Sequence, residues 1–200
     1  MIIKILFSII IIFIAIYLFW KRLKEDYISS QIFTTFFYIL FGVIFFTILS
    51  DNFYPKYWFW FGLLGLISGL SLAIYRFKLR LYETIESVVI SFLLILSGVL
   101  IFNWFLTSDK YSLGYGIINL LLFILFYIFD KHYKKFNWYK SGRVGFSGLA
   151  ILGIFFLIRI VIASGVGDMI SFLGRIDAIL SGIISFISFL ALYNLSKKLS

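Results

Sequence analysis

The stretch GIFFLIRIVIA, residues 153–163, sets a single arginine, Arg159, among apolar residues and glycine. A guanidinium keeps its charge at any ordinary pH and offers its N–H donors in a planar fork. Its natural chemistry is to hold a carboxylate or a phosphate through two parallel hydrogen bonds. Other polar residues stand in similarly apolar surroundings: Asn103 in LIFNWF, Tyr115 and Asn119 in YSLGYGIINLL, and Arg175 and Asp177 in FLGRIDAIL. Asp177 could neutralise either Arg159 or Arg175, which leaves one cation for an anionic group such as a lipid phosphate. Each residue also has a structural reading. Arg159 could snorkel to the headgroups, Arg175 could anchor a helix end, the asparagines could join helices, and Tyr115 could belong to an interfacial aromatic belt.

Much other chemistry is excluded. Cysteine is absent, so disulfides and thiolate metal sites are impossible. The one histidine, His132, lies in the basic segment DKHYKK. No three-histidine site, no Ser-His-Asp set and no phosphate-cradling Gly-Lys-Ser/Thr loop can be assembled. No cofactor and no metal ion is expected.

The elements that must position these residues follow from composition. The chain of 200 residues is 62% hydrophobic and 14% charged, with a mean hydropathy of +1.07. Soluble domains carry about a quarter charged residues, so a single all-α, polytopic membrane domain over residues 1–200 is expected. A crossing helix needs roughly 20 mainly apolar residues. Seven segments qualify: 2–20, 32–49, 57–75, 84–106, 111–129, 144–164 and 169–195. The runs are continuous and do not alternate polar with apolar, which favours helices over a barrel. The first is read as a retained helix, because FWKRLKED follows it with no small-x-small cleavage site.

Loop cations set the direction. Lys21, Arg22 and Lys24 follow the first span, Arg76, Lys78 and Arg80 the third, and Lys131, Lys134, Lys135, Lys140 and Arg143 the fifth. The second and fourth are followed only by Lys56 and Lys110, and the sixth by none before Arg175. The positive-inside rule then places the N-terminus outside and the C-terminus, with Lys197 and Lys198, in the cytoplasm. The net charge of +9 is explained by these loops and calls for no nucleic acid. At 1.5 Å per residue Arg159 falls about 7 Å below the outer boundary. Asn103, Tyr115, Asn119, Arg175 and Asp177 fall in the same leaflet, from four helices in all. Deeper in the membrane lie serines and threonines, with Glu83 and Glu86 at the inner end of the fourth span. Stripes of glycine at Gly62, Gly65 and Gly69, and at Gly145, Gly148 and Gly153, predict close helix packing.

The order of these segments resembles the bacterial prolipoprotein diacylglyceryl transferases. KRLKEDYISSQIFTTFFYILFGVIFFTIL is similar to that family's first cytoplasmic loop and second helix. FWFGLLGLISGL resembles its H-G-G-L-x-G segment, SGVLIFNWF its G-R-x-G-N-F segment, and YSLGYGIINLLLFILFYIFDK its P-S/T-Q-L-Y-E segment with the helix that follows. GIFFLIRIVIA resembles its Y-G-x-x-R-F-x-x-E segment. The resemblance places the family's arginine on Arg159, its asparagine on Asn103 and its tyrosine on Tyr115. The chain departs from the pattern at Trp60 (histidine in the family), Leu100 (arginine), and Gly116 and Ala163 (glutamates). The resemblance implies a multi-pass protein of the bacterial inner membrane. Such a protein moves a diacylglyceryl group from phosphatidylglycerol to the thiol of a lipoprotein precursor, or is a lapsed relative that still binds anionic phospholipid. The alternative is a small transporter or membrane scaffold without enzymatic activity, although no half-to-half repeat of the transporter kind is visible.

Overall fold

The computed structural model describes residues 2–139, 141, 143–165 and 174–197. Among these residues the chain is helical, with no strand. The helices are α1 (Ile2–Leu23), α2 (Ser29–Phe53), α3 (Trp58–Phe77), α4 (Leu81–Thr107), α5 (Lys110–His132), α6 (Phe146–Gly165) and α7 (Arg175–Ser196). Single 3-10 turns, Pro55–Tyr57 and Tyr133–Lys135, open the approach to α3 and close α5. Six of the helical segments, those containing α2 through α7, are long and apolar enough to cross a membrane. The protein is therefore a multi-pass membrane protein. The helices outrun the expected spans at several ends: α2 extends to Phe53 where 49 was expected, and α4 begins at Leu81. Polar and charged residues at those ends continue the backbone ladder beyond the apolar run. The expected start of the last span, 169–173, lies outside the described residues.

Local chemistry explains the breaks. Pro55 has no backbone N–H to give a continuing helix and opens the 3-10 turn. Lys78 and Ser108 take left-handed backbone angles, φ 52° and 56°, and end α3 and α4. Asp109 then caps α5, accepting hydrogen bonds from the backbone N–H of Tyr111 at 3.1 Å and of Ser112 at 3.3 Å.

α4 and α6 form the centre: 56% and 61% of their spanning windows are buried, against 22% for α2 and 28% for α7. α2 packs on α3, α6 on α7, and α4 on both α1 and α5. Without a hydrophobic driving force in lipid, small residues and polar bonds must hold such helices together. A Cβ at Gly65 or Gly69 would run into the α2 backbone at Gly42 or Tyr38. A Cβ at Gly153 would meet the Phe189 ring at 2.7 Å. Gly65 and Gly69 thus bring the backbones of α2 and α3 together, while Gly153 makes room for a ring. Buried serines reach across the remaining seams: Ser91 to the Ala15 carbonyl at 3.1 Å, Ser97 to that of Gly116 at 2.8 Å, and Ser185 to that of Gly153 at 3.0 Å. The outer surfaces carry Phe41, Phe105 and Val161, each about seven-tenths exposed as lipid-facing side chains are.

Candidate functional site

Arg159 enters the protein interior from α6. Its side chain is fully buried, as is that of Asp177. The two form a bidentate pair: Nε donates to Oδ1 at 2.9 Å and Nη2 to Oδ2 at 2.7 Å. Asp177 lies in the first turn of α7, where the helix dipole favours an anion. Ser181, one turn on, donates to its Oδ1 at 3.2 Å. Gly174, at φ 59°, provides the left-handed turn that starts α7. The pair therefore ties α6 to α7 through matched charges.

The other face of the guanidinium is aromatic. Its Cζ lies 3.5 Å from the centroid of the Phe59 ring and 5.6 Å from that of Trp60, both from the start of α3. Phe59, Trp60, Phe155, Phe156 and Tyr115 enclose the site in one buried cluster. Tyr115 stacks on Phe155 at 6.3 Å, and its hydroxyl interacts with Arg159. Cation–π contacts of this kind strengthen when water is excluded. Two further polar groups lie in this region of the interior without a hydrogen-bond partner: the Trp60 indole N–H and the Asn119 amide, one turn along α5 from Tyr115. Each such group costs about 1–3 kcal/mol while unsatisfied.

Phe59 also lines an apolar cavity of about 240 Å³ between α1, α2, α3 and α4. Phe59 is shared: one contact is the guanidinium, another is the cavity wall. Along α4 the lining runs from Val88 to Val99, about 16 Å at the helical rise.

Of the residues singled out in the sequence, Arg159, Asp177 and Tyr115 come together. Asn119 is buried on the same helix as Tyr115. Arg175 is exposed on the first turn of α7. Asn103 is half-buried and donates to the Ser112 hydroxyl at 3.0 Å, which in turn donates to Asp109 at 2.6 Å. That chain fastens the end of α4 to the start of α5, the helix-joining role.

A second polar cluster was not anticipated. Arg22 at the end of α1 forms ion pairs with Glu86 of α4 and with Asp130 of α5, the latter at 2.7 and 3.0 Å. Glu86 is fully buried, and its Oε1 accepts from the backbone N–H of Gly145 at 3.0 Å and of Gly148 at 3.4 Å. A Cβ at Gly148 would meet Glu86 Cγ at 2.7 Å, so the start of α6 sits directly on this carboxylate. The sequence signal was Glu86 inside ETIESVVISF, an acid within the first turns of an apolar helix. Nearby, the Tyr27 hydroxyl donates to Glu83 at 3.2 Å and accepts from the Arg80 N–H at 2.8 Å. Burial pushes its ionisation upward. Among the described residues no group of three or more His, Asp or Glu side chains could hold a metal ion. Comparison with protein-family models, with curated proteins and with solved structures finds no match for this chain.

Proposed function

We propose that this chain is a seven-pass protein of a bacterial inner membrane, N-terminus outside and C-terminus cytoplasmic, that handles an anionic phospholipid of the phosphatidylglycerol type in the outer leaflet. Its plan is that of the prolipoprotein diacylglyceryl transferases. The observation that carries the reading is that one ring, Phe59, both lies against the Arg159 guanidinium and lines an apolar cavity. A diacyl lipid has the matching two parts. A hydrocarbon chain fits the cavity between α1 and α4, while its phosphate exchanges with the Asp177 carboxylate on Arg159. Both are oxyanions that a planar fork binds in the same way. The indole N–H of Trp60 and the amide of Asn119 would meet ester oxygens of such a lipid. In a transferase, Arg159 would stabilise the phosphate as it departs, and a lipoprotein precursor thiol would be the acceptor.

The bidentate Arg159–Asp177 pair favours a second reading, a membrane scaffold or small transporter in which this pair only locks α6 to α7. The test is to purify the protein in micelles containing phosphatidylglycerol, add a lipobox peptide, and follow labelled diacylglycerol. Transfer that disappears in Arg159→Ala establishes the enzyme. Arg159-dependent retention of phosphatidylglycerol without transfer identifies a lapsed relative that binds lipid. Neither transfer nor Arg159-dependent retention leaves the scaffold or transporter.

A further inference from the structure

At the end of the bundle opposite Arg159, the structure has a polar cavity of about 410 Å³. Its floor is the Arg22–Asp130 pair, with Glu86 beneath. Its rim is charged and the signs are segregated. Glu25 and Asp26, from the connection between α1 and α2, supply the acids of the rim, and Glu83 of α4, bound to Arg80 and Tyr27, lines the same cavity; Lys131 and Lys134, from the end of α5 and its 3-10 turn, supply the cations. All four rim residues are exposed. Among the described residues none of the four is in an ion pair, whereas the floor charges are. Held apart on different elements, the rim charges present one wall to a cation and another to an anion.

We infer that this cavity binds an amine–phosphate zwitterion, the phosphoethanolamine group, with its ammonium toward Glu25 and Asp26 and its phosphate toward Lys131 and Lys134. The depth fits. The cavity opens where the ends of α1 and α5 meet the start of α4, the end of the bundle that also carries Arg76, Lys78 and Arg80, basic residues of the kind that attract lipid headgroups. The chemistry selects within headgroups. A primary ammonium donates hydrogen bonds to carboxylates, and a quaternary ammonium does not. A headgroup that is only anionic satisfies the lysines but is repelled by the acids.

The experiment uses the full chain in nanodiscs made with phosphatidylethanolamine, phosphatidylcholine or phosphatidylglycerol as the minor component, with retained lipid read by native mass spectrometry. Phosphatidylethanolamine is expected to be retained several-fold over both others. Lys131→Gln with Lys134→Gln should lower that retention roughly fivefold per lysine, the effect of one basic residue near a lipid surface. Glu25→Gln with Asp26→Asn should abolish the preference over phosphatidylcholine. Both pairs are exposed, so melting temperatures of the variants should match the parent. Soluble phosphoethanolamine that displaces the lipid shows that the headgroup alone is bound. Selective retention without displacement shows that the membrane lipid is the ligand. Equal retention of the three lipids, or retention unchanged in both double variants, overturns the assignment.

Discussion

The two ends of the bundle deal with buried charge in opposite ways. At one end a single cation meets a single anion, Arg159 on Asp177, sealed under aromatic rings with both side chains fully buried. At the other, Arg22 is about a quarter exposed and is shared between two carboxylates, one of which also caps the start of α6. The first arrangement is closed and neutral. The second carries an extra negative charge, offset by backbone N–H groups and open to a polar cavity. Exchange of a ligand for an internal partner is costly at the first end and easy at the second. Geometry governs the arrangement at Arg159, and charge placement governs the one around Arg22.

The sealed end should be the more fragile. Asp177→Ala leaves a guanidinium buried without its bidentate partner and should destabilise the protein by about 3–5 kcal/mol, measured by reversible unfolding in mixed micelles. Replacing both members with apolar residues, Arg159→Met with Asp177→Leu, should recover most of that loss, because no charge is then left buried. A double variant as unstable as Asp177→Ala would show that the aromatic face, rather than the carboxylate, supports Arg159.

How much of this was legible in the sequence depends on angle more than on depth. That a charge at position 159 must find an anion follows from its apolar neighbours, and Asp177 was a candidate at the right depth. Which arginine Asp177 would meet was not legible. Arg175 and Asp177 are two residues apart, about 200° around a helix, so one faces out when the other faces in. The rotation of α7 decides between them, and it is fixed where the Ser185 hydroxyl donates to the Gly153 carbonyl of α6. Asn103 has the same history: its depth was clear, but its turn toward Ser112 follows from the α4–α5 connection. The helices themselves were plain because each apolar run is bounded by charge or proline. The Glu86 cluster stayed hidden because Arg22 and Asp130 stand at helix ends, where charges ordinarily belong to loops.

The open end should yield a graded response. Glu86→Ala removes the acceptor for the N–H groups of Gly145 and Gly148 as well as one anion, and should cost about 2–3 kcal/mol through those unsatisfied donors. Arg22→Ala should cost less, because Asp130 is partly exposed and can be hydrated, while the buried Glu86 keeps the N–H groups of Gly145 and Gly148 as partners. Hydrogen exchange at the start of α6 separates the two: faster in Glu86→Ala, and close to the parent in Arg22→Ala. Equal acceleration in both would mean that Arg22, and not the backbone, holds Glu86 in place.

The smallest effect expected lies outside the spans, at the turn between α4 and α5. Asp109→Ala removes a helix cap and should cost about 1 kcal/mol. The side-chain hydrogen bond from Ser112, joined by the backbone N–H groups of Tyr111 and Ser112, holds the Asp109 carboxyl below its ordinary value of 3.8. A lowered folded-state value means that the unfolded chain takes up the proton more readily. The contribution is therefore complete above the ordinary carboxylate range and is lost as pH falls through the folded value. The stability gap between the parent and Asp109→Ala should stay constant near neutral pH and narrow only in acid, below about pH 4. A gap independent of pH would place the cap's worth in packing of the Asn103–Ser112 seam rather than in the carboxylate charge.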